Sequence, residues 1–357
     1  MSIYRSFLFA PGNHARRVEK ALSLSADAVI LDLEDAVANS EKIKSRALVL
    51  EALQGPRNCK AYVRVNALGT PWSYGDLVAV INPGVDGVLL PKVESASDLH
   101  TVEWLITSLE NERNLPKGSI DLIPIVETAL GFSNLASIAR SGTRVRRIAF
   151  GAGDFTLDLG ITWTADETEL LSYRNSFVVE SRAAGLEPPL DTVWVALDDE
   201  AGFNQSVETV QKLGFQGKMC IHPNQLKHVN ACFSPSEKQI THAKRVVEAF
   251  EVAEKQGLAA IQVDGKFVDY PIVYLAKKLI EIAKKSGADY IKFKMFKTSD
   301  HVTKKATQAK YQIRNLDLIH LALSPLHSLM LALRYRIKMP ALPFHLEKVQ
   351  VRYLAFY

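Results

Sequence analysis

The sequence predicts a (β/α)8 barrel with a C-terminal helix and flap extension. Three observations predict this α/β fold class. Eight apolar, β-branched runs of four to six residues follow one another along the chain. Between them lie segments whose apolar residues recur at three- and four-residue spacing, as on one face of a helix. Polar or ionisable residues follow the runs, as expected where parallel strands end at the active-site face of a barrel.

The elements can be placed in order along the chain. Strands are predicted at residues 6–10, 28–33, 61–65, 87–90, 122–126, 147–150, 192–196 and 217–221. Helices are predicted between them at residues 14–25, 40–53, 97–109 and 203–213, and a long amphipathic helix at 234–256. The alternating apolar residues around Asp264 and Gly265 predict a hairpin with this dipeptide as its turn. We therefore expect a barrel over residues 1–232, a helical and flap extension over 233–285 and an atypical tail over 286–357.

Composition and charge exclude two classes of function. With 357 residues and 47% hydrophobic content, the chain is typical of a globular protein. The formal charge of +4 arises in residues 286–357, which carry twelve Lys or Arg against four Asp or Glu, so the remaining chain is acidic. This distribution gives no basis for a nucleic-acid partner. The apolar stretch 316–333 contains Asp317, His320, Pro325 and His327, which argue against a membrane-spanning helix.

Cysteine usage and the N-terminus predict a cytoplasmic location. Cys59, Cys220 and Cys232 lack the spacing of metal ligands and form no even disulfide framework. The first residues contain no apolar core of the length that a signal peptide requires. A reducing compartment is therefore expected.

The polar residues that follow the predicted strands should converge at one mouth of the barrel. In chain order they are Asn13, Glu34, Asp35, Arg64, Asn66, Lys92, Glu94, Glu127, Asp154, Asp198 and His222. Glu127 and Asp154 each end an apolar run on consecutive strands. A buried carboxylate normally regains its lost hydration from a cation or a donor, so this pair suggests a shared hard metal ion. The alternative is two structural acids that cap helix N-termini.

Seven motifs carry a resemblance to a known family. They are RSFLFAPG at 5–12, LDLEDAV at 31–37, VRVN at 63–66, PKVE at 91–94, IVET at 125–128, FGAGDF at 150–155 and MCIHPNQ at 219–225. They resemble the citrate lyase β-subunit-like family of the HpcH/HpaI aldolase superfamily, which includes malyl-CoA and citramalyl-CoA lyases. The resemblance covers residues 1–285.

The resemblance implies roles for the mouth residues. Glu127 and Asp154 match the family's ligands for Mg²⁺. The resemblance implies that water and a 2-oxo acid complete the coordination of the ion. Arg64 matches the substrate-binding arginine, which can fork onto a carboxylate or oppose an enolate oxygen. Glu34 and Asp35 match a family pair that could hold Arg64, bind metal-bound water or tune the site, so a catalytic and a purely supporting role both stay open.

Lys92 and Asp269 complete the implied site. Lys92 could form a Schiff base, but the acids on neighbouring strands should keep it protonated, so we interpret it as electrostatic support for substrate binding. Asp269 matches the acid or base on a flap that covers the active site of a neighbouring subunit. A donated flap requires a homo-oligomer, a trimer or a hexamer. Without the resemblance, Asp269 would be a helix N-cap before Pro271.

The implied reaction is Mg²⁺-dependent cleavage or formation of a 3-hydroxyacyl-CoA thioester such as malyl-CoA or citramalyl-CoA. The products of cleavage are acetyl-CoA and a 2-oxo acid. Two alternatives stay open. One is an aldolase that acts on a free 2-oxo-4-hydroxy acid without CoA, and the other is a non-catalytic subunit in a sugar-acid or polysaccharide pathway.

The tail carries a second, short resemblance. Residues 275–312 resemble an early segment of N-acetylneuraminate synthases, although the usual Lys-Phe-Gln is here Lys292-Phe293-Lys294. So short a fragment supplies neither a barrel nor that enzyme's ligands, and we assign it no synthase activity. A gene fusion or a shifted reading frame would account for it, and we expect the last 45 or so residues to be poorly ordered.

Overall fold

A computed structural model describes residues 4–285, which form a closed barrel and an extension. All neighbouring barrel strands are parallel, and the last strand pairs with the first. The strands are β1 (Ser6–Pro11), β2 (Ala28–Asp32), β3 (Lys60–Arg64), β4 (Gly87–Leu90), β5 (Asp121–Val126), β6 (Ala149–Phe150), β7 (Leu190–Asp191) and β8 (Gly217–Cys220). The predicted (β/α)8 fold class is confirmed.

Helices follow the strands, as the spacing of apolar residues predicts. Up to β8 they are α1 (Ala15–Ser23), α2 (Lys42–Leu53), α3 (Ser73–Val80), α4 (Ala96–Glu112), α5 (Ala129–Ser133), α6 (Leu135–Ala139), α7 (Ala152–Leu159), the 3-10 helix Thr168–Leu170, α8 (Leu171–Ala183) and α9 (Glu200–Leu213). After β8 come α10 (Gln225–Cys232), α11 (Glu237–Glu254), the hairpin of β9 (Ile261–Val263) and β10 (Lys266–Val268), and α12 (Tyr270–Lys285). None of these helices is both long and apolar enough to span a bilayer.

Two apolar clusters lie on opposite faces of the barrel sheet. Successive strand residues point to opposite faces, so Phe7 and Ile30 belong to the smaller cluster while Leu8 and Leu31 belong to the larger one. All eight strands contribute to the smaller cluster, which therefore fills the barrel interior. The larger cluster joins the sheet to the helices. Burial on both faces explains why the strands are nearly continuous apolar runs.

The prediction for the seventh strand was wrong. We expected residues 192–196, whereas the structure places β7 at Leu190–Asp191. The apolar residues beyond β7 belong to a loop, where Val195 and Leu197 are 59% and 55% exposed. The barrel position itself is occupied by a buried carboxylate, Asp191, which pairs in register with Lys218 of β8. A charged residue in the sheet interrupts the apolar pattern on which the prediction depended.

Asp191 forms the centre of a buried ion network, and its loss should destabilise the barrel. Arg174 donates from Nε to Oδ1 at 2.8 Å and from Nη2 to Oδ2 at 3.1 Å, and Lys218 pairs with Oδ2. Removing one partner of a buried ion pair costs about 3–5 kcal/mol. We expect Asp191→Asn to lower the free energy of unfolding by about this amount in urea denaturation. Glu208→Gln, at an exposed pair with Lys212, should change it by less than about 1 kcal/mol; equal losses would contradict the assignment.

The extension has its own small core. Val246 and Phe250 of α11 pack with Val268 of β10 and with Val273 of α12. The predicted hairpin is confirmed, with Asp264 at φ 50° and Gly265 at φ 76°, the left-handed values of a two-residue turn. Helix α11 begins at a capping box formed by Ser236 and Gln239. The predicted tail, residues 286–357, lies outside the described residues, and the boundary at 232 stays a prediction.

Candidate active site at the carboxyl end of the barrel

A cavity of about 410 Å³ opens where the barrel strands end. It lies at the mouth on which the active sites of such barrels are built. Its lining comes from seven of the eight strands and the loops after them, with Phe9, Asp32, Asp35, Ala36, Arg64, Ile125, Glu127, Gly151, Gly153, Asp154, Thr192, Val193, Met219 and Ile221. Of the eleven polar residues predicted to converge, Asp35, Arg64, Glu127 and Asp154 line the cavity, and Glu34 and Lys92 pair with these residues.

Arg64 is fixed by Asp32, a residue that the sequence analysis did not identify. Arg64 donates from Nε to Asp32 Oδ1 at 2.8 Å and from Nη2 to Oδ2 at 2.6 Å, a forked pair. The Asp32 carboxylate also accepts the backbone N–H groups of Glu34 and Ala36. Asp32 is the last residue of β2 and Arg64 is the last residue of β3, and the two residues are in register. The strand ends thus set the direction of the guanidinium.

The remaining surroundings of Arg64 favour its charged form. Nη1 lies 3.0 Å from Glu34 Oε2, and the guanidinium carbon lies 4.8 Å from the centre of the Phe9 ring. Burial lowers the pKa of Arg64, but the carboxylates of Asp32, Glu34 and Glu127 together raise it more, so the net shift is upward. The same pairing holds the pKa of Asp32 below its usual value despite the opposing effect of burial. Arg64 is therefore a rigid, permanent cation at the cavity wall.

Lys92 lies among the acids and stays protonated. Its ammonium lies 2.6 Å from Glu34 Oε1, 3.1 Å from Asp154 Oδ2 and 3.7 Å from Asp35 Oδ2. Burial lowers the pKa of Lys92, but the hydrogen bond to Glu34 and the charges of the other carboxylates raise it more, to above its usual range. A protonated amine cannot attack a carbonyl, so this environment argues against Schiff-base chemistry. Glu34 links both cations of the site, whereas the Asp35 side chain is 60% exposed at its edge.

Glu127 is a buried carboxylate with one committed oxygen. Its residue exposure is 3%, and Oε1 accepts the backbone N–H of Lys92 at 2.9 Å. Oε2 lies against Gly151, where an added Cβ would come within 2.2 Å of it. Burial, and then the negative charge of Glu34, raise the pKa of Glu127 to about 8. In the absence of a further cation, Glu127 therefore holds a proton at neutral pH.

Asp154 lies in the first turn of α7, where the N-terminal end of a helix favours an anion. This end of α7 is anchored to the barrel by Ala152, whose N–H donates to Thr192 Oγ1 at 2.9 Å. Thr192, rather than the predicted Asp198, is therefore the polar residue that follows β7 into the cavity; Asp198 is exposed in the loop beyond it. Strand β7 ends earlier than predicted, and for this reason Thr192 lies at the mouth of the barrel in place of Asp198.

The site carries more negative than positive groups. Five carboxylates, those of Asp32, Glu34, Asp35, Glu127 and Asp154, surround Arg64 and Lys92. Among the described residues, no three or more Asp, Glu, His or Cys side chains are arranged to enclose a metal ion. Glu127 and Asp154 could still hold a hard divalent cation, because Mg²⁺ is typically bound by one or two carboxylates and keeps water and substrate in its other positions.

Six predicted residues are not among those that line the cavity or pair with its charged groups, namely Asn13, Asn66, Glu94, Asp198, His222 and Asp269. Asp269 caps α12 by accepting the N–H of Ile272 at 3.4 Å, and it is not among the residues that line the cavity of its own chain. Asn66 is buried and donates to Asp76 and to the carbonyl of Leu33. His222 accepts the N–H of Asn224 within its loop.

The chain matches one family over most of the barrel. The HpcH/HpaI aldolase/citrate lyase family matches residues 5–223. The chain is 39% identical to the citrate lyase subunit beta of Leuconostoc mesenteroides over 281 residues, which are 78% of this chain and 93% of that protein. It is 37% identical to a (3S)-malyl-CoA thioesterase of Cereibacter sphaeroides over 287 residues, 80% of this chain and 96% of that protein. The NeuB family also matches residues 279–338, which overlap the predicted synthase-like fragment.

Solved structures agree with these matches. A crystal structure of protein CitE from Mycobacterium tuberculosis, in complex with magnesium, acetoacetate and coenzyme A, aligns with a TM-score of 0.64. It is 28% identical, and the alignment covers 79% of this chain and 98% of that one. RipC from Yersinia pestis aligns with a TM-score of 0.56 at 27% identity, covering 66% of this chain and 98% of that one. The chain therefore belongs to the HpcH/HpaI aldolase/citrate lyase family and is an enzyme of the lyase class.

Proposed function

We propose that the protein is a Mg²⁺-dependent carbon–carbon lyase that acts on a 3-hydroxyacyl-CoA thioester such as malyl-CoA or citramalyl-CoA. Cleavage would give acetyl-CoA and a 2-oxo acid, and condensation is the reverse. The observation that carries this proposal is the arrangement of Glu127, Asp154 and the fixed Arg64 around one cavity. An excess of carboxylates beside a forked arginine suits a divalent cation together with an anionic substrate.

The ligands of related proteins support this substrate class. Crystals of the Mycobacterium tuberculosis relative contain magnesium with pyruvate, or magnesium with acetoacetate and coenzyme A. Another structure holds oxaloacetate and magnesium. These ligands are a thioester carrier and small oxo acids. The retained Arg64, Glu127 and Asp154 argue against a non-catalytic subunit.

Glu127 and Asp154 would hold the metal through the oxygens that do not bind Lys92. A bound Mg²⁺ would polarise the hydroxyl and carboxylate oxygens of the substrate and stabilise the 2-oxo acid product. Arg64 would donate N–H groups to the oxygen on which negative charge develops. Because Asp32 already fixes the guanidinium, its reorganisation during the reaction costs little. Lys92 would add positive charge on the same side of the cavity.

Proton transfer would come from another subunit. We propose that Asp269 of a neighbouring flap protonates the acetyl-CoA enolate during cleavage or removes the α-proton during condensation. In its own chain, Asp269 lies on the extension at the end of β10. A homo-oligomer, a trimer or a hexamer, is therefore part of the proposal, and the cytoplasm is the expected compartment.

A product assay tests the proposed reaction. The purified protein is incubated with malyl-CoA or citramalyl-CoA in Mg²⁺ and in EDTA, and acetyl-CoA, free CoA and the 2-oxo acid are measured. We expect acetyl-CoA and 2-oxo acid in equal amounts, and only with metal. Free CoA in place of acetyl-CoA would indicate thioester hydrolysis, the activity named for one relative. Cleavage of a free 2-oxo-4-hydroxy acid, with no thermal stabilisation by CoA, would instead identify the CoA-independent aldolase.

Gly151 and Gly153 provide a matched test of the cavity geometry. A Cβ at Gly151 would lie 2.2 Å from Glu127 Oε2, whereas a Cβ at Gly153 would meet nothing closer than Trp163 Cζ3 at 3.9 Å. Overpacking of this kind costs about 1–3 kcal/mol. We expect Gly151→Ala to lower the melting temperature, to displace the Glu127 carboxylate and to weaken metal binding in calorimetry. Gly153→Ala should leave metal affinity within about a factor of three; equal effects would contradict the close contact.

A further inference from the structure

We propose that Lys92 opposes the divalent cation at Glu127 and Asp154 and thereby couples metal binding to the arrival of the 2-oxo acid. This inference rests on the proposed metal site. Its physical basis is that the Lys92 ammonium already neutralises one of the two ligands, since it lies 3.1 Å from Asp154 Oδ2. The metal and the ammonium would therefore share one carboxylate.

Lys92 is held in this position by its backbone as well as by its side chain. Its φ of 52° lies in the left-handed region, which is unusual for a residue with a side chain. In this conformation its N–H donates to Glu127 Oε1 at 2.9 Å. The same residue thus contacts both proposed metal ligands, one through the main chain and the other through the ammonium. Glu34 Oε1, 2.6 Å from Nζ, fixes the side chain from the other direction.

A divalent ion beside this ammonium experiences repulsion at short range. Mg²⁺ lies 2.0–2.1 Å from a carboxylate oxygen in proteins, and the Lys92 ammonium lies 3.1 Å from Asp154 Oδ2, within hydrogen-bonding distance. Two cations on one carboxylate are then separated by only a few ångströms inside a partly buried cavity, where screening is weak. Either Lys92 leaves Asp154 or the metal binds weakly. Both outcomes lower the metal affinity of the enzyme without substrate.

A carboxylate in the cavity would change this balance. The carboxylate of a 2-oxo acid gives the displaced ammonium a new partner and adds negative charge beside the metal. Binding of the acid should therefore strengthen binding of the metal, and the reverse holds by thermodynamic linkage. In this account Lys92 is a positioning residue that makes the two ligands bind together.

Manganese binding tests the inference without a measurement of activity. Mn²⁺ prefers the same oxygen ligands as Mg²⁺, and its free concentration can be followed by electron paramagnetic resonance, with and without pyruvate. Without pyruvate, we expect Lys92→Met to bind Mn²⁺ about tenfold more tightly than the wild type. Pyruvate should tighten Mn²⁺ binding in both proteins because it can coordinate the ion directly, but the tightening should be about tenfold larger in the wild type than in Lys92→Met, a typical size for such coupling.

Three further variants keep the test interpretable. Lys92→Gln is also neutral but retains a donor for Glu34. It should bind Mn²⁺ about tenfold more tightly than the wild type, and it replaces Lys92→Met in the test if that variant folds poorly. Lys92→Arg retains the charge and should bind Mn²⁺ as the wild type does. Lys212→Met removes an exposed charge on α9, remote from the mouth, and should have no effect. Neutral variants that bind Mn²⁺ no more tightly than the wild type would overturn the inference alone, whereas a wild type that binds no Mn²⁺ would overturn the proposed metal site as well.

Discussion

Replacement of Arg64 by lysine is expected to lower kcat/KM for the acyl-CoA substrate by about 10²–10³-fold, the usual cost of losing one pre-organised donor at a developing oxyanion. Lysine keeps the positive charge but is a single point donor. It cannot reproduce the fork by which Arg64 holds both oxygens of Asp32 at 2.6 and 2.8 Å. The remaining N–H groups of Arg64 would then no longer point reliably into the cavity. Steady-state kinetics with saturating Mg²⁺ measures the loss.

Two companion variants separate position from charge. Asp32→Asn retains Arg64 but weakens the forked pair that fixes it. The value of kcat should therefore fall although the positive charge is unchanged. Arg140→Lys, at a surface pair with Glu180, should leave the kinetics unchanged. An Arg64→Lys enzyme with at least half of the wild-type kcat/KM would contradict the role of Arg64 as a fixed donor.

Replacement of Glu127 by glutamine is expected to abolish metal-dependent activity and, at the same time, to stabilise the metal-free protein at alkaline pH. The carboxylate is buried, and its pKa of about 8 in the folded metal-free state exceeds the ordinary value of 4.5. Glutamine has nearly the same shape, so its Oε1 can still accept the Lys92 N–H, but it never ionises. The variant therefore removes a buried charge and, with it, a metal ligand.

The sign of the pH dependence follows from proton binding. Between pH 4.5 and about 8, folded Glu127 keeps a proton that the unfolded chain has released. Rising pH therefore favours unfolding over this range, and the penalty levels off above it. In EDTA, Glu127→Gln should be more stable than the wild type by about 3 kcal/mol or more at pH 9, and the difference should vanish near pH 4.5. Chemical denaturation at both pH values measures it, and a variant less stable than the wild type at pH 9 would be the opposite result.

The sequence predicted the barrel because both faces of its strands are buried. Each strand is therefore a nearly continuous apolar run, which is easy to recognise. It also predicted that Arg64, Lys92, Glu127 and Asp154 would lie together, since parallel strands of a barrel end at one mouth. Asp32 was missed because it lies within the apolar run 28–33 and was treated as part of the strand. Side-chain alternation would have found it, because Asp32 and Glu34 are two residues apart and share a face.

Other features depend on contacts between distant parts of the chain. Asp191 is tolerable in the barrel wall only because Arg174 and Lys218 neutralise it, and no local pattern identifies those partners. The apolar residues after Asp191 resemble a strand, yet β7 ends at Asp191 and Val195 is exposed in the following loop. The ion pair between Lys92 and Asp154, which joins the loop after β4 to α7, likewise has no signal in the local sequence. A single sequence therefore predicts the order of strands and helices more readily than the partners of buried charged residues.

The location of the metal is the most direct test of the proposed function. Crystals grown with Mn²⁺ and pyruvate would give an anomalous difference map in which the ion can be identified. We predict one ion between the Glu127 and Asp154 carboxylates, with oxygens of pyruvate in its coordination sphere and Arg64 facing the bound acid. A cavity with pyruvate bound but no anomalous peak between Glu127 and Asp154 would contradict the proposal.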